Sequence, residues 1–150
     1  MRAVIQRVSY SEVQINQETI GKIGMGLNVL LGIKENDNES DIDYIINKLV
    51  NLRIFEDDEG KMNRSILDVD GELLLISQFT LYGDCRKGRR PGFSRCGPVD
   101  EAEQKYTLFV EKLKKQPIKK IETGIFQAEM KVLIENDGPV TLLLDSEKEF

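Results

Sequence analysis

The sequence predicts an α+β fold: a mostly antiparallel sheet closing toward a barrel, carrying two main helices, in one domain over residues 1–150. Three observations predict it. Two segments place apolar residues at helical spacing. Many short apolar or alternating runs, separated by turn residues, read as strands. No repeat, low-complexity stretch or linker divides the 150 residues, a length that suits one domain. Two helices among many short strands belong to the α+β class.

Residues 2–8 alternate partly and read as a strand. Residues 12–15 and 19–23 flank Asn16-Gln17-Glu18 and suggest a hairpin. Gly24-Met25-Gly26 breaks the pattern, and residues 27–33 form a nearly continuous apolar run of the length of a buried strand. Ser40 can cap a helix whose Ile42, Ile45, Ile46 and Leu49 fall at i, i+3, i+4, i+7, with Asp43 at the third helical position favoured by the helix dipole. Residues 53–55 are a short strand candidate before the turn Asp57-Asp58-Glu59-Gly60. Residues 72–79 are a strong strand centred on Leu73, Leu74, Leu75 and Ile76. Asp100 can cap a second helix, with Glu103 in the capping-box position and Ala102, Tyr106, Phe109, Val110 and Leu113 on its buried face. Pro117 follows its end. Residues 119–122, 128–134 and 140–144 read as strands.

Composition narrows the chemistry. Hydrophobic residues make up 40% and charged residues 31%, ordinary for a chain with a packed core. No apolar run approaches the roughly 20 residues that span a bilayer, and residues 1–10 lack the apolar stretch of a signal peptide. A cytoplasmic location without membrane contact is the expectation. There is no histidine, which excludes Ser-His-Asp and Cys-His catalysis and histidine-bound zinc. Cys85 and Cys96 do not form a C-x-x-C pair, and no further cysteine completes a zinc site. Neither metal nor cofactor is expected. The net charge of -5 argues against a general nucleic-acid binder. Even so, Arg86, Lys87, Arg89, Arg90 and Arg95 crowd one short stretch with Gly88, Gly92 and Gly97.

Three segments carry candidate chemistry, each beside a plainer reading. Ser77-Gln78-Phe79-Thr80 ends the strongest strand, where backbone amides could hold an oxyanion. It could equally be a strand running into a turn. Thr80 could be a nucleophile, but no base is visible to activate it. Asn136-Asp137-Gly138-Pro139-Val140-Thr141 has the composition of a tight turn. In Lys87-Gly88-Arg89-Arg90-Pro91-Gly92-Phe93-Ser94, Phe93 could stack on a base while Arg89 and Arg90 meet phosphate, or the loop could simply be solvated. From residues alone a non-catalytic RNA-binding module and a threonine-dependent hydrolase of small esters stay open.

Taken together, these segments resemble the bacterial-type D-aminoacyl-tRNA deacylases. Ser77-Gln78-Phe79-Thr80 and Asn136-Asp137-Gly138-Pro139-Val140-Thr141 match that family's two signature motifs. The likeness runs on through Gln6-Arg7-Val8, Gly24-Met25-Gly26-Leu27, Val29-Leu30-Leu31-Gly32, Arg53-Ile54-Phe55, Gly60-Lys61-Met62-Asn63, Arg90-Pro91-Gly92-Phe93, and Thr123-Gly124-Ile125-Phe126 with Met130. It covers essentially the whole chain. Arg95 and Cys96 depart from it, where small and mostly uncharged residues are expected.

The resemblance implies a homodimer with its active site at the subunit interface and the 3′ end of an aminoacylated tRNA as substrate. Ser77, Gln78, Phe79 and Thr80 would line the pocket for the aminoacyl group and the terminal adenosine. Gly138 and Pro139, joined by a cis bond, would reach in from the partner subunit and exclude an L side chain, with Arg7 helping to hold that turn. Arg89, Arg90 and Phe93 would guide the RNA end. The 2′-hydroxyl of the terminal adenosine would help water attack the ester, in keeping with a chain that lacks imidazole.

Overall fold

The fold follows from one long strand that changes partners along its length. The structure is a computed structural model and describes residues 1–149. Strand β1, Arg2–Ile15, pairs antiparallel with β3, Gly26–Gly32, through its first half and with β2, Glu18–Ile23, through its second. On its other edge it pairs with β8, Lys131–Asp145, from Arg2 opposite Asp145 to Gln14 opposite Lys131. Shifts of register near Val8 bend β1, and bulges of this kind turn a strand without ending it. One continuous strand therefore replaces the two expected at residues 2–8 and 12–15.

β6, Glu72–Ser77, joins β3 in parallel, and β7, Lys120–Thr123, joins β6 in parallel. The remaining pairings are antiparallel. β2 comes back toward β7, where the Lys120 ammonium donates to the Lys22 carbonyl at 2.6 Å. The sheet thus nearly closes into a barrel. β4, Phe55–Glu56, and β5, Met62–Arg64, form a small separate hairpin around the turn at residues 57–60. The first of these lies two residues beyond the start of the strand expected at 53–55, and the second has no counterpart among the expected strands.

α1, Glu39–Asn51, and α2, Val99–Leu113, cover one face of the sheet. Ile42, Ile45 and Leu49 of α1 and Phe109 and Leu113 of α2 pack with Ile5, Leu27, Val29, Leu31, Leu73 and Leu75. A second, smaller cluster of Val8, Val13, Ile23, Leu74 and Ile76 fills the other side. Alternation along β1, β3 and β6 feeds both clusters, since successive strand side chains point to opposite faces.

Both helix starts differ from expectation. The Asn38 side chain, not that of Ser40, caps α1 by accepting from the Ser40 amide, while Asp41 reaches back to the Asn38 amide. That reciprocal pair moves the start ahead of Ser40. Asp43 instead accepts from Lys112 of α2 at 2.6 Å. α2 begins after Pro98 without a side-chain cap, so Asp100 lies inside the first turn and forms no capping box with Glu103. Asp100 still suits the positive end of the helix dipole. Among the described residues no helix is long and apolar enough to cross a membrane.

Candidate active site

The site is built where β6 loses its strand partner. Ser77 is the last β6 residue paired with β3, opposite Leu31. Gln78 donates its amide to the Leu31 carbonyl at 2.8 Å, and the chain then tightens into a 3₁₀ turn, Phe79–Tyr82. The strand expected to run through Phe79 therefore stops two residues early. Gly32 of β3 makes the tightening possible. A Cβ on Gly32 would stand 3.0 Å from the Leu81 Cβ and 3.1 Å from the Gln78 carbonyl oxygen. The amides of Phe79 and Thr80 open the turn, where a helical turn leaves donors without internal acceptors.

Beside this turn lies a cavity of about 500 Å³. Ser77, Gln78 and Phe79 form one part of its wall, and Leu31, Ile33 and Ile76 its floor. Cys96 and Gly97 of the basic loop, Val99 and Ala102 of α2, and Phe126, Gln127, Ala128, Met130 and Val132 near the start of β8 complete it. None of the described lining residues bears a carboxylate, an amine or an imidazole. Among the described lining residues Cys96 is the one titratable group. Burial pushes its thiol up, so it stays protonated at neutral pH and is a poor nucleophile.

Thr80 does not line this cavity. It is exposed, and its hydroxyl accepts from the Gln78 carboxamide. Phe93 packs its ring on Phe79, with centroids 5.2 Å apart and planes tilted by 59°. Arg89 and Arg90 are exposed, and neither has an ion-pair partner among the described residues. They lie in a loop closed by two hydrogen bonds between the backbones of Asp84 and Gly92, at 2.7 and 2.9 Å.

Gly138 and Pro139 lie elsewhere. Between Val8 paired with Asn136 and Gln6 paired with Thr141, β1 has one residue and β8 has four, so residues 137–140 bulge out of the ladder. The strand continues through this bulge, where the sequence suggested two strands and a turn between them. The Gly138–Pro139 bond is cis, and both residues are exposed. Gly138 has φ of +123°, and a Cβ there would approach an Arg7 nitrogen to 3.0 Å, a position that favours glycine on both counts. The buried Arg7 guanidinium donates to the Asp137 carbonyl at 3.2 Å and to the Ile54 carbonyl at 2.8 Å. The bulge is not part of the wall of the cavity in its own chain.

Ser77, Gln78 and Phe79 of the wall are legible in the sequence as motif residues, whereas the apolar remainder is not. Phe126 and Met130 lie in a stretch that matched the family scaffold, which was the available signal. Nothing in the spacing marked Val99 or Ala102, whose place depends on how α2 packs.

Known proteins share this fold and much of this sequence. The family described as D-Tyr-tRNA(Tyr) deacylase matches residues 4–145. A Thermosipho melanesiensis protein named D-aminoacyl-tRNA deacylase is 58% identical over 150 residues, which is 100% of both chains. A Clostridium botulinum protein of the same name is 61% identical over the same full length. Among solved structures, one named c-Myc DNA Unwinding Element Binding Protein superposes with a TM-score of 0.91 at 42% identity, covering 97% of this chain and 98% of that one. A probable eukaryotic D-amino acid tRNA deacylase shares the fold, with a TM-score of 0.79 at 16% identity over 95% of this chain and 97% of that one. On the match to residues 4–145 and full-length relatives at this identity, the chain belongs to the D-aminoacyl-tRNA deacylase family.

Proposed function

We propose that this protein hydrolyses the ester bond of D-aminoacyl-tRNA, releasing the D-amino acid and tRNA, and leaves the L-aminoacyl ester intact. The observation that carries the reading is the Ser77-Gln78-Phe79 strand end lining an apolar cavity in a chain of this family. Water adds to the ester carbonyl, the bond to the 3′ oxygen breaks, and that oxygen leaves with a proton. With no ionisable base among the described wall residues, the 2′-hydroxyl of the terminal adenosine assists the water. The amides of Phe79 and Thr80 are the oxyanion donors of this reading, and positioning with preorganised donors contributes several kcal/mol. No cofactor is needed.

The acting unit is a homodimer in the cytoplasm, and the Gly138–Pro139 turn of one protomer enters the cavity of the other. Its exposure and its fastening by Arg7 support this, because rejecting an L side chain requires fixed atoms where that side chain would go. Glycine has no side chain to clash and passes the filter in part. Phe93, Arg89 and Arg90 meet the RNA end. Parallel deacylation of D- and L-tyrosyl-tRNA tests the reading: the D ester is consumed and the L ester persists. Equal rates, or no turnover of the D ester, overturn it.

A further inference from the structure

The cations of the basic loop are not equivalent. Arg86 is neutralised within the loop by Asp84, through contacts of 2.9 and 2.7 Å. Lys87, Arg89 and Arg90 face solvent. Arg95 is only partly exposed, and its guanidinium lies 2.7 Å from the Glu149 carboxylate and 3.7 Å from that of Glu147. It also lies over the buried Tyr82 ring, 5.6 Å from the ring centre. Arg2 lies over the same ring at 4.7 Å, and pairs with Asp145 at 2.8 Å and with Glu149. Lys34 pairs with Glu147. The end of β8, through Asp145, and the segment that follows it, through Glu147 and Glu149, are thus tied to Arg2, Lys34 and Arg95. The next two residues after Arg95 are Cys96 and Gly97, which form part of the cavity wall. Their other restraints lie in the backbone and the thiol: Cys96 forms a β-bridge with Lys34 and donates its amide to the Phe93 carbonyl at 3.1 Å, its thiol touches the Phe79 carbonyl at 3.6 Å, and the Arg95 carbonyl accepts from the Glu35 amide at 3.4 Å.

We propose that Arg95 is a positioning residue: its ion pairs with Glu147 and Glu149 hold the Cys96–Gly97 wall of the cavity in place, and it does not contact RNA phosphate. This rests on the deacylase reading. Exposed ion pairs are individually weak, but here several share one aromatic ring and one short tail, so the tie is a network. A guanidinium already committed to two carboxylates and a ring face is the least available of the loop's cations for a phosphate.

The test compares Arg95→Ala, Arg95→Lys, the double variant Glu147→Gln/Glu149→Gln, and Arg89→Ala/Arg90→Ala as a phosphate-contact control. Deacylation of D-tyrosyl-tRNA is followed over a salt series, and amide hydrogen exchange is followed without RNA. Arg95→Ala and the double Gln variant should both raise KM, by about threefold to tenfold, with kcat within about twofold of the parent. Both should speed exchange in the peptide spanning residues 93–97. Arg95→Lys should restore most of the loss. The Arg89→Ala/Arg90→Ala control alone should flatten the dependence of log KM on log salt, since lost phosphate contacts release fewer counterions. Opposite signs, with the double Gln variant lowering KM while Arg95→Ala raises it, would show that Arg95 serves RNA and that the tail competes for it. That result overturns the proposal, as does an unchanged KM in both. If Arg95→Ala does not fold, the Gln variant decides. If the parent protein leaves D-tyrosyl-tRNA intact, the deacylase reading fails, and exchange alone reports whether the tie exists.

Discussion

Arg7 is a charged side chain buried in a wall of strands, and it remains affordable because each of its contacts is an acceptor. Its donors reach two carbonyl oxygens, and Asp137 and Glu56 lie 3.4 and 3.9 Å away. A buried cation without such partners would cost several kcal/mol. Thr80 shows the opposite situation: an exposed hydroxyl engaged by a carboxamide that cannot take its proton. Thr80→Ala is therefore expected to keep activity within about tenfold, and single-turnover deacylation measures it. A loss of about 10⁴-fold, the scale of a missing nucleophile, would instead make Thr80 the attacking group. The motif residues were legible because their types and order are distinctive. Cys96 was legible only as a departure, and its burial against Phe79 could not be read, because a contact between residues so far apart in the chain leaves no trace in local pattern.

The 3₁₀ turn at Phe79–Tyr82 rests on Gly32, and this makes one element responsible for the placement of another. In Gly32→Ala the new methyl must displace either the Leu81 side chain or the Gln78 carbonyl. Displacing the carbonyl moves the Ser77-Gln78-Phe79 wall. The expected result is a fall in kcat/KM of about three- to thirtyfold, since misplacement near 1 Å costs on the order of 10², with the circular dichroism of the parent. Unchanged kinetics would mean that Leu81 alone yields. Helices were legible from their apolar spacing, yet the first cap was displaced, because Asn38 accepts from the Ser40 amide and so starts the helix ahead of Ser40. The parallel placement of β6 between β3 and β7 was not legible, because pairing partners are chosen by tertiary packing and not by the strand's own residues. The continuity of β8 through Asn136-Asp137-Gly138-Pro139 was hidden for a related reason: a bulge and a turn draw on the same residues.

Across the molecule, the absence of histidine removes the side chain that ordinarily titrates near neutrality. The perturbed carboxylates lie lower. The Lys61 and Glu59 amides hold Asp57 below its ordinary value, the Ser65 amide and hydroxyl hold Asp68 there, and Arg86 holds Asp84 well below the carboxylate range. Arg95 lowers Glu149 in the same way. A group depressed in the folded state favours folding above its unfolded pKa, near 4 for a carboxylate, and that contribution fades as pH falls through the lowered folded value. The urea midpoint should therefore stay nearly level between about pH 5.5 and 7 and drop below about pH 4.5. A midpoint that rises on acidification would contradict this. The fold class was legible at this scale because composition, two amphipathic helices and many short strands all pointed the same way. The near closure of β2 on β7 was visible only as a tendency, because closure depends on bends in β1 that no run of residues announces.

A cavity walled by Leu31, Ile76, Phe126, Met130 and a strand end, with no charged side chain among the described lining residues, also sets terms for inhibitor design. Such a pocket rewards shape and desolvation, and gives a charged warhead nothing to pair with. A neutral scaffold should gain most of its affinity from an aromatic body against Phe79 and Phe126. One or two hydrogen-bonding groups aimed at Ser77 and Gln78 would fix its orientation. Medicinal chemistry built on salt bridges would find its nearest handholds outside, on the exposed cations of the neighbouring loop.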